Sequence, residues 1–198
     1  MKDIRLDIGC VGRGTMYPDF IGVDIHPAPT DPRKPGAEYL QLDFVYSAAL
    51  PRKPGTVAEL VAFHIIEHLE YQEGQTLLRR AWDLLRPGAK MFITCPDLDF
   101  FIQKYIEQDA VFWQRKYPSG KEMWPGNTIA GRFNYHFCGG PGISPHKYQY
   151  NQESLIDAAR RAGCRNVEPM PIKHLGYPED HFWSRRPDHE IGIICTKD

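Results

Sequence analysis

Leu6-Asp7-Ile8-Gly9-Cys10-Val11-Gly12-Arg13-Gly14 is a short apolar strand running into a glycine-rich turn, and a second strand follows it, ending in Val23-Asp24-Ile25. A glycine turn at the carboxyl end of a first strand lets a ligand approach the backbone, and an acid ending the next strand can accept both hydroxyls of a ribose. Together they suggest a nucleoside-containing ligand, although a glycine-rich turn by itself also serves turn geometry alone. Only Cys10 to Asp19 connects the two strands, and Pro18 interrupts that connection. It lies near the ~10–12 residue minimum for a parallel crossover and leaves no room for a long helix. A dinucleotide pyrophosphate is held at a helix N-terminus after its glycine loop, so the short connection counts against NAD or FAD.

Further apolar runs read as strands at Tyr39 to Leu42 and Leu60 to Ile66. From Glu67 to Leu85, Leu77, Leu78, Ala81, Leu84 and Leu85 recur at helical spacing until Arg86-Pro87-Gly88 ends the helix. Ala89 to Cys95 is another strand, closed by Pro96. Strands apolar on both faces and alternating with crossovers indicate a parallel sheet covered on both sides, an α/β architecture. From Asp97 to about Tyr150 the rhythm breaks: a helix is expected over Leu98 to Tyr117, followed by a Gly- and Pro-rich stretch interleaved with aromatics. Such a stretch inside one domain suggests a lid over a site, and the aromatics argue against disorder. Asn151 then caps a helix carrying Leu155, Ile156, Ala159 and Ala162, with Gly163 at its C-terminal cap. Two last strands, Asn166 to Ile172 and His189 to Thr196, are expected to pair as an antiparallel edge hairpin.

The 198 residues, 42% hydrophobic and 25% charged, suit one soluble domain over 1–198 with an insert at about 98–150. Twenty-four Lys and Arg against 25 Asp and Glu give a net charge of -1, which does not mark bulk nucleic acid or an anionic membrane as partner. No apolar run reaches the ~18–20 residues of a bilayer span, and no signal-peptide core follows Met1, so a cytoplasmic protein is expected. Cys10, Cys95, Cys138, Cys164 and Cys195 form no CxxC pair and read as buried thiols. A dimer through the edge hairpin or the lid is compatible with all of this.

A second motif, Phe63-His64-Ile65-Ile66-Glu67-His68-Leu69, leads through the helix into Leu84-Leu85-Arg86-Pro87-Gly88 and on to Cys95-Pro96-Asp97. With the Leu-Asp-Ile-Gly-Cys turn, Val-Asp-Ile, and the later stretch from His146-Lys147 to Ala162-Gly163-Cys164, the order resembles the class I S-adenosylmethionine-dependent methyltransferases, particularly their small type-11-like branch. The likeness covers roughly Ile4 to Val167, with the lid as its least typical part. It implies a Rossmann-like doubly wound sheet and S-adenosylmethionine as cofactor. The resemblance places Asp7, Gly9 and Cys10 by the methionine moiety, Asp24 on the ribose hydroxyls, and Ile25 on the adenine. It sets Asp43 on the adenine amino group beside Phe44, and His64 beneath the sulfonium and the acceptor. Val11 stands where the second glycine of the usual turn is expected, and Arg13 is a candidate to pair with the methionine carboxylate instead.

The expected reaction is transfer of the sulfonium methyl to an oxygen, nitrogen or carbon of a small molecule, with alignment supplying much of the acceleration. His136 and His146 in the lid are candidate bases. His64, His68, Trp113, Trp124, Phe133, Tyr135 and Tyr148 are candidates to hold the acceptor, and the aromatics could equally form the lid's own core. His64 and His68 are spaced to invite a metal, but His64 belongs to the strand and neither CxxC nor HExxH is present, so no metal is expected. A binding or regulatory module of the same fold is the alternative. A nicotinamide oxidoreductase ranks third, because Tyr117 and Lys121 straddle the helix breakers Pro118 and Gly120.

Overall fold

Strands that are apolar on both faces can be buried only as the middle layer of a structure, and the computed structural model of the chain places them there. It describes residues 3–10, 19–27, 38–117, 119–140, 144–170 and 189–198. Its strands are β1 (Ile4–Ile8), β2 (Ile21–Asp24), β3 (Tyr39–Gln41), β4 (Val57–Phe63), β5 (Leu85–Pro96), β6 (Val167–Pro169) and β7 (Glu190–Thr196). Among the described residues these form one sheet in the order β3-β2-β1-β4-β5-β7-β6. β1 to β5 pair in parallel, whereas β7 runs antiparallel to both β5 and β6. This is the Rossmann-like arrangement expected from the sequence, including the antiparallel pair of last strands at one edge. β7 lies between β5 and β6, so β6 alone forms that edge.

Ile8 lies level with Val23 on one side and Ala62 on the other, which aligns the carboxyl ends of β1, β2 and β4. The strand order reverses at β1, and in sheets of this kind the crevice outside that switch point is where ligands bind. Helix α1 (Tyr71–Leu84) buries Leu77, Leu78, Ala81 and Leu84 fully, and α5 (Gln152–Arg161) buries Leu155, Ala158 and Ala159 in the same core. Asn151 caps α5 in a reciprocal pair with Ser154, and Gly163 follows the helix at φ +95.

The helix expected from Glu67 to Leu85 is divided. Ile66–His68 form a separate 3-10 turn, Leu69 is extended, and α1 starts after a capping box of Glu70 and Glu73. The Glu67 carbonyl accepts the amides of Lys147 at 2.7 Å and Tyr148 at 3.2 Å, so the insert takes the acceptor that a continuous helix would use. β4 also begins earlier than the apolar run suggested and ends before His64.

The single helix expected over Leu98 to Tyr117 is two, α2 (Leu98–Ile106) and α3 (Ala110–Trp113). Gln108 at φ 51 separates them, and Asp109 caps the second. The stretch read as irregular contains α4 (Ile129–Cys138), capped by Thr128 and ended by Gly139 at φ 69. These helices enclose a core of their own, made of Phe101, Phe112, Trp113, Met123 and Trp124. Arg132 ties it together, donating from Nη1 to the carbonyls of Trp113 and Trp124, both at 3.0 Å, and from Nη2 to Glu122 at 2.9 Å. Cys10, Cys95, Cys164 and Cys195 are buried thiols, while Cys138 is exposed because it faces outward at the end of α4. Among the described residues no helix is long and apolar enough to cross a membrane.

Candidate functional site

A cavity of about 1070 Å³ opens over the carboxyl ends of β1, β2 and β4, with the α2–α4 insert forming its far wall. On the sheet side its floor starts at Ile8 and Gly9. Gly9 has φ +72, and a Cβ there would stand 2.5 Å from Ile65 Cδ1, so both backbone conformation and space require glycine. Asp7 and Cys10 flank this turn but are fully buried and do not reach the cavity wall. Arg13 lies outside the described residues.

At the end of β2, Asp24, Ile25 and His26 line the cavity. Asp24 Oδ1 accepts the His26 amide at 3.0 Å. Tyr39 donates to the His26 carbonyl and Gln41 to that of Ile25, so β3 holds this turn in place. Ile25 is 56% exposed, an apolar side chain offered to the opening. After β3, Asp43 Oδ1 accepts the amides of Val45 and Tyr46, both at 2.9 Å. Asp43 therefore shapes the turn that brings Phe44 and Val45 to the wall, and it also lines the cavity itself.

His64 leaves β4 at φ 52 and lies between two carboxyl groups. Its Nδ1 is 3.1 Å from Glu67 Oε1 and its Nε2 is 3.2 Å from Glu190 Oε1. Burial pushes the imidazole down, but Glu190 and Glu67 together outweigh it and raise its pKa to about 9. Burial likewise pushes the Glu67 carboxyl up, and the hydrogen bond and charge of His64, helped by His68 and His146, bring it below its usual range. His64 is thus a clamped cation at neutral pH, suited to holding shape and field rather than to taking a proton.

The insert contributes Phe101, Trp124, Tyr135 and His136, and the segment before α5 contributes Ser144, His146 and Lys147. His136 stacks on Phe101 with ring centroids 3.6 Å apart. Burial, with the neighbouring histidines, lowers its pKa well below the usual value. His146 is brought down to about 4, chiefly by burial. Both candidate bases are therefore neutral at pH 7 and weakly basic. Among the acceptor candidates, His64, His68, Trp124 and Tyr135 share the wall. Trp113 and Phe133 do not reach it, because they pack into the insert's aromatic core. Tyr148 packs beside Tyr71 and Tyr150 outside the cavity.

Sequence reasoning missed Glu190 and the part played by Glu67. A single acid opening the apolar run Ile191-Gly192-Ile193-Ile194 was the available signal for Glu190, which is 6% exposed.

No protein-family model matches the chain, and no curated protein matches it in sequence. Solved structures do match in fold. A Thermotoga maritima SAM-dependent methyltransferase, described as a possible histamine N-methyltransferase, superposes with TM-score 0.57 at 17% identity, covering 100% of this chain and 83% of that one. An Archaeoglobus fulgidus SAM-dependent methyltransferase gives TM-score 0.55 at 16% identity over 98% of this chain and 86% of its own. One from Methanosarcina mazei gives 0.56 at 13% identity over 100% and 93%.

Proposed function

We propose that the protein, which has the Rossmann-like fold of class I S-adenosylmethionine-dependent methyltransferases, transfers a methyl group from that cofactor to an oxygen, nitrogen or carbon of a small molecule. The observation that carries this reading is the placement of Gly9 and Asp24 on adjacent parallel strands at the switch point of the sheet, both opening into one cavity. The residues fit the cofactor. A Cβ at position 9 would collide with Ile65, which leaves bare backbone where the cofactor passes, and an exposed Ile25 offers an apolar surface to a base. The volume of about 1070 Å³ lies just above the ~300–1,000 Å³ range of single-ligand pockets, leaving space for a second small molecule.

In this reading Asp24 accepts the ribose hydroxyls, Ile25 and Phe44 flank the adenine, and Asp43 faces its amino group. The bound cofactor supplies an already activated methyl group on a sulfonium. The chain then has to hold the acceptor in line and keep water out. Trp124 and Tyr135 form the apolar side of the acceptor space, and His64, fixed between Glu67 and Glu190, forms its floor. An acceptor that must lose a proton has only weak bases in His136 and His146, which favours one that is already nucleophilic or is deprotonated to solvent.

Calorimetric titration with S-adenosylmethionine and S-adenosylhomocysteine tests the cofactor half. Binding to the wild type should weaken by ~1.5–3 kcal/mol in Asp24→Ala, the cost of losing hydrogen bonds to a charged group. Absence of binding to the wild type would refute methyl transfer and leave a binding module of the same fold.

A further inference from the structure

Where the insert meets the turn after β4, Glu67, His68 and His146 each present a ligand atom, and these atoms lie within 4.8 Å of one another. Glu67 is 1% exposed. Its Oε1 is taken by His64, while Oε2 is buried without a hydrogen-bond partner among the described residues. His146 Nδ1 is buried in the same condition. An unsatisfied buried carboxylate oxygen and an unsatisfied buried imidazole nitrogen are each costly, and together on one cavity wall they suit a shared electrophile.

The surroundings fix these groups as ligands are fixed. His68 Nδ1 lies 3.0 Å from the Pro145 carbonyl, so that nitrogen carries the proton and Nε2 keeps its lone pair. The His146 amide donates to the Phe137 carbonyl at 2.8 Å, and the next two amides donate to the Glu67 carbonyl. The two imidazoles meet edge to face with centroids 4.9 Å apart. Lys147, a cation on the same cavity wall, is drawn to Glu73 at 3.5 Å. The His64 imidazolium opposes a further positive charge, and Glu190 on its other nitrogen offsets that.

We propose that Glu67, His68 and His146 form a binding site for one divalent first-row transition cation. Two imidazoles and one carboxylate suit such ions, and metal–ligand bonds of ~2.0–2.2 Å require the three atoms to draw together by about 1 Å. Three protein ligands leave coordination positions open towards the cavity. If methyl transfer is the activity, such a position would hold an oxygen of the acceptor, but cation binding itself does not depend on that reading. The sequence pointed away from a metal because His64 and His68 were the visible pair; His64 is used by Glu67 and Glu190, and His146 comes from a distant segment.

The test is titration of the chelator-stripped protein with Co²⁺, followed by its visible absorption, with no nucleoside present. One equivalent should bind with the intense spectrum of a low-coordinate nitrogen–oxygen site. His68→Ala and His146→Ala should each weaken binding at least about tenfold. Cys138→Ala, which removes the exposed thiol, should bind as the wild type does. Glu67→Gln should also lose the ion, and if this buried variant fails to fold the two histidine variants decide. A spectrum of hydrated Co²⁺ only, or wild-type affinity in either histidine variant, overturns the site. Calorimetry with S-adenosylmethionine on the same samples reports separately on the methyl-transfer reading.

Discussion

Replacing Gly9 by alanine should destabilise the protein by about 2–4 kcal/mol. Roughly 1 kcal/mol comes from placing a Cβ at φ +72, a left-handed conformation that glycine alone adopts freely. The rest is overpacking: the new methyl would stand 2.5 Å from Ile65 Cδ1 and 3.0 Å from Ile65 Cβ, and inserting a methyl into a filled site costs about 1–3 kcal/mol. The two parts are separable, because Ile65→Val removes the Cδ1 atom and leaves the backbone strain. Urea unfolding of the wild type, both single variants and the double variant would measure this. The double variant should be more stable than the sum of the single effects predicts by about 1 kcal/mol, the coupling expected of residues in direct contact. Gly9→Ala within 0.5 kcal/mol of the wild type, or no coupling to Ile65→Val, would refute the tight turn on which the cofactor placement depends.

Asn151→Ala removes a reciprocal cap on α5 and should cost about 1 kcal/mol in the same unfolding assay. Arg132→Met leaves the carbonyls of Trp113 and Trp124 without their donor; hydrogen exchange should quicken across α3 and α4 while the amides of β4 and β5 keep their protection. Gly140→Ala would place a Cβ 2.5 Å from the Tyr135 ring, displacing a side chain on the cavity wall proposed to hold the acceptor. Its cofactor affinity should stay at the wild-type value while KM for the acceptor changes.

The sheet was legible because its strands are almost continuously apolar, and a buried parallel strand has no other pattern to show. Gly9 and Asp24 were legible because a glycine turn and a lone acid stand out at the ends of apolar strands, and both line the cavity. The insert was not. Helix α4 carries Gly131 within its first turn and has no fully buried residue, so its partial apolar face gave no clear period. Phe133 was indistinguishable from Trp124 or Tyr135 by type; all three pack in the insert's core, and only the folded arrangement shows that Trp124 and Tyr135 also reach the cavity. The break after His68 was hidden for a different reason: the amides of Lys147 and Tyr148, far along the chain, hold the Glu67 carbonyl. For the same reason the meeting of His146 with Glu67 and His68 has no local signature.

The central claim is that the cavity over β1, β2 and β4 holds a methyl-donor nucleoside. A crystal structure with S-adenosylhomocysteine bound tests it most directly. The account predicts the ribose hydroxyls on Asp24, the adenine between Ile25 and Phe44, and the sulfur facing the acceptor space bounded by His64, Trp124 and Tyr135. Nucleoside density elsewhere, or an adenine placed without contact to Asp24, would contradict it.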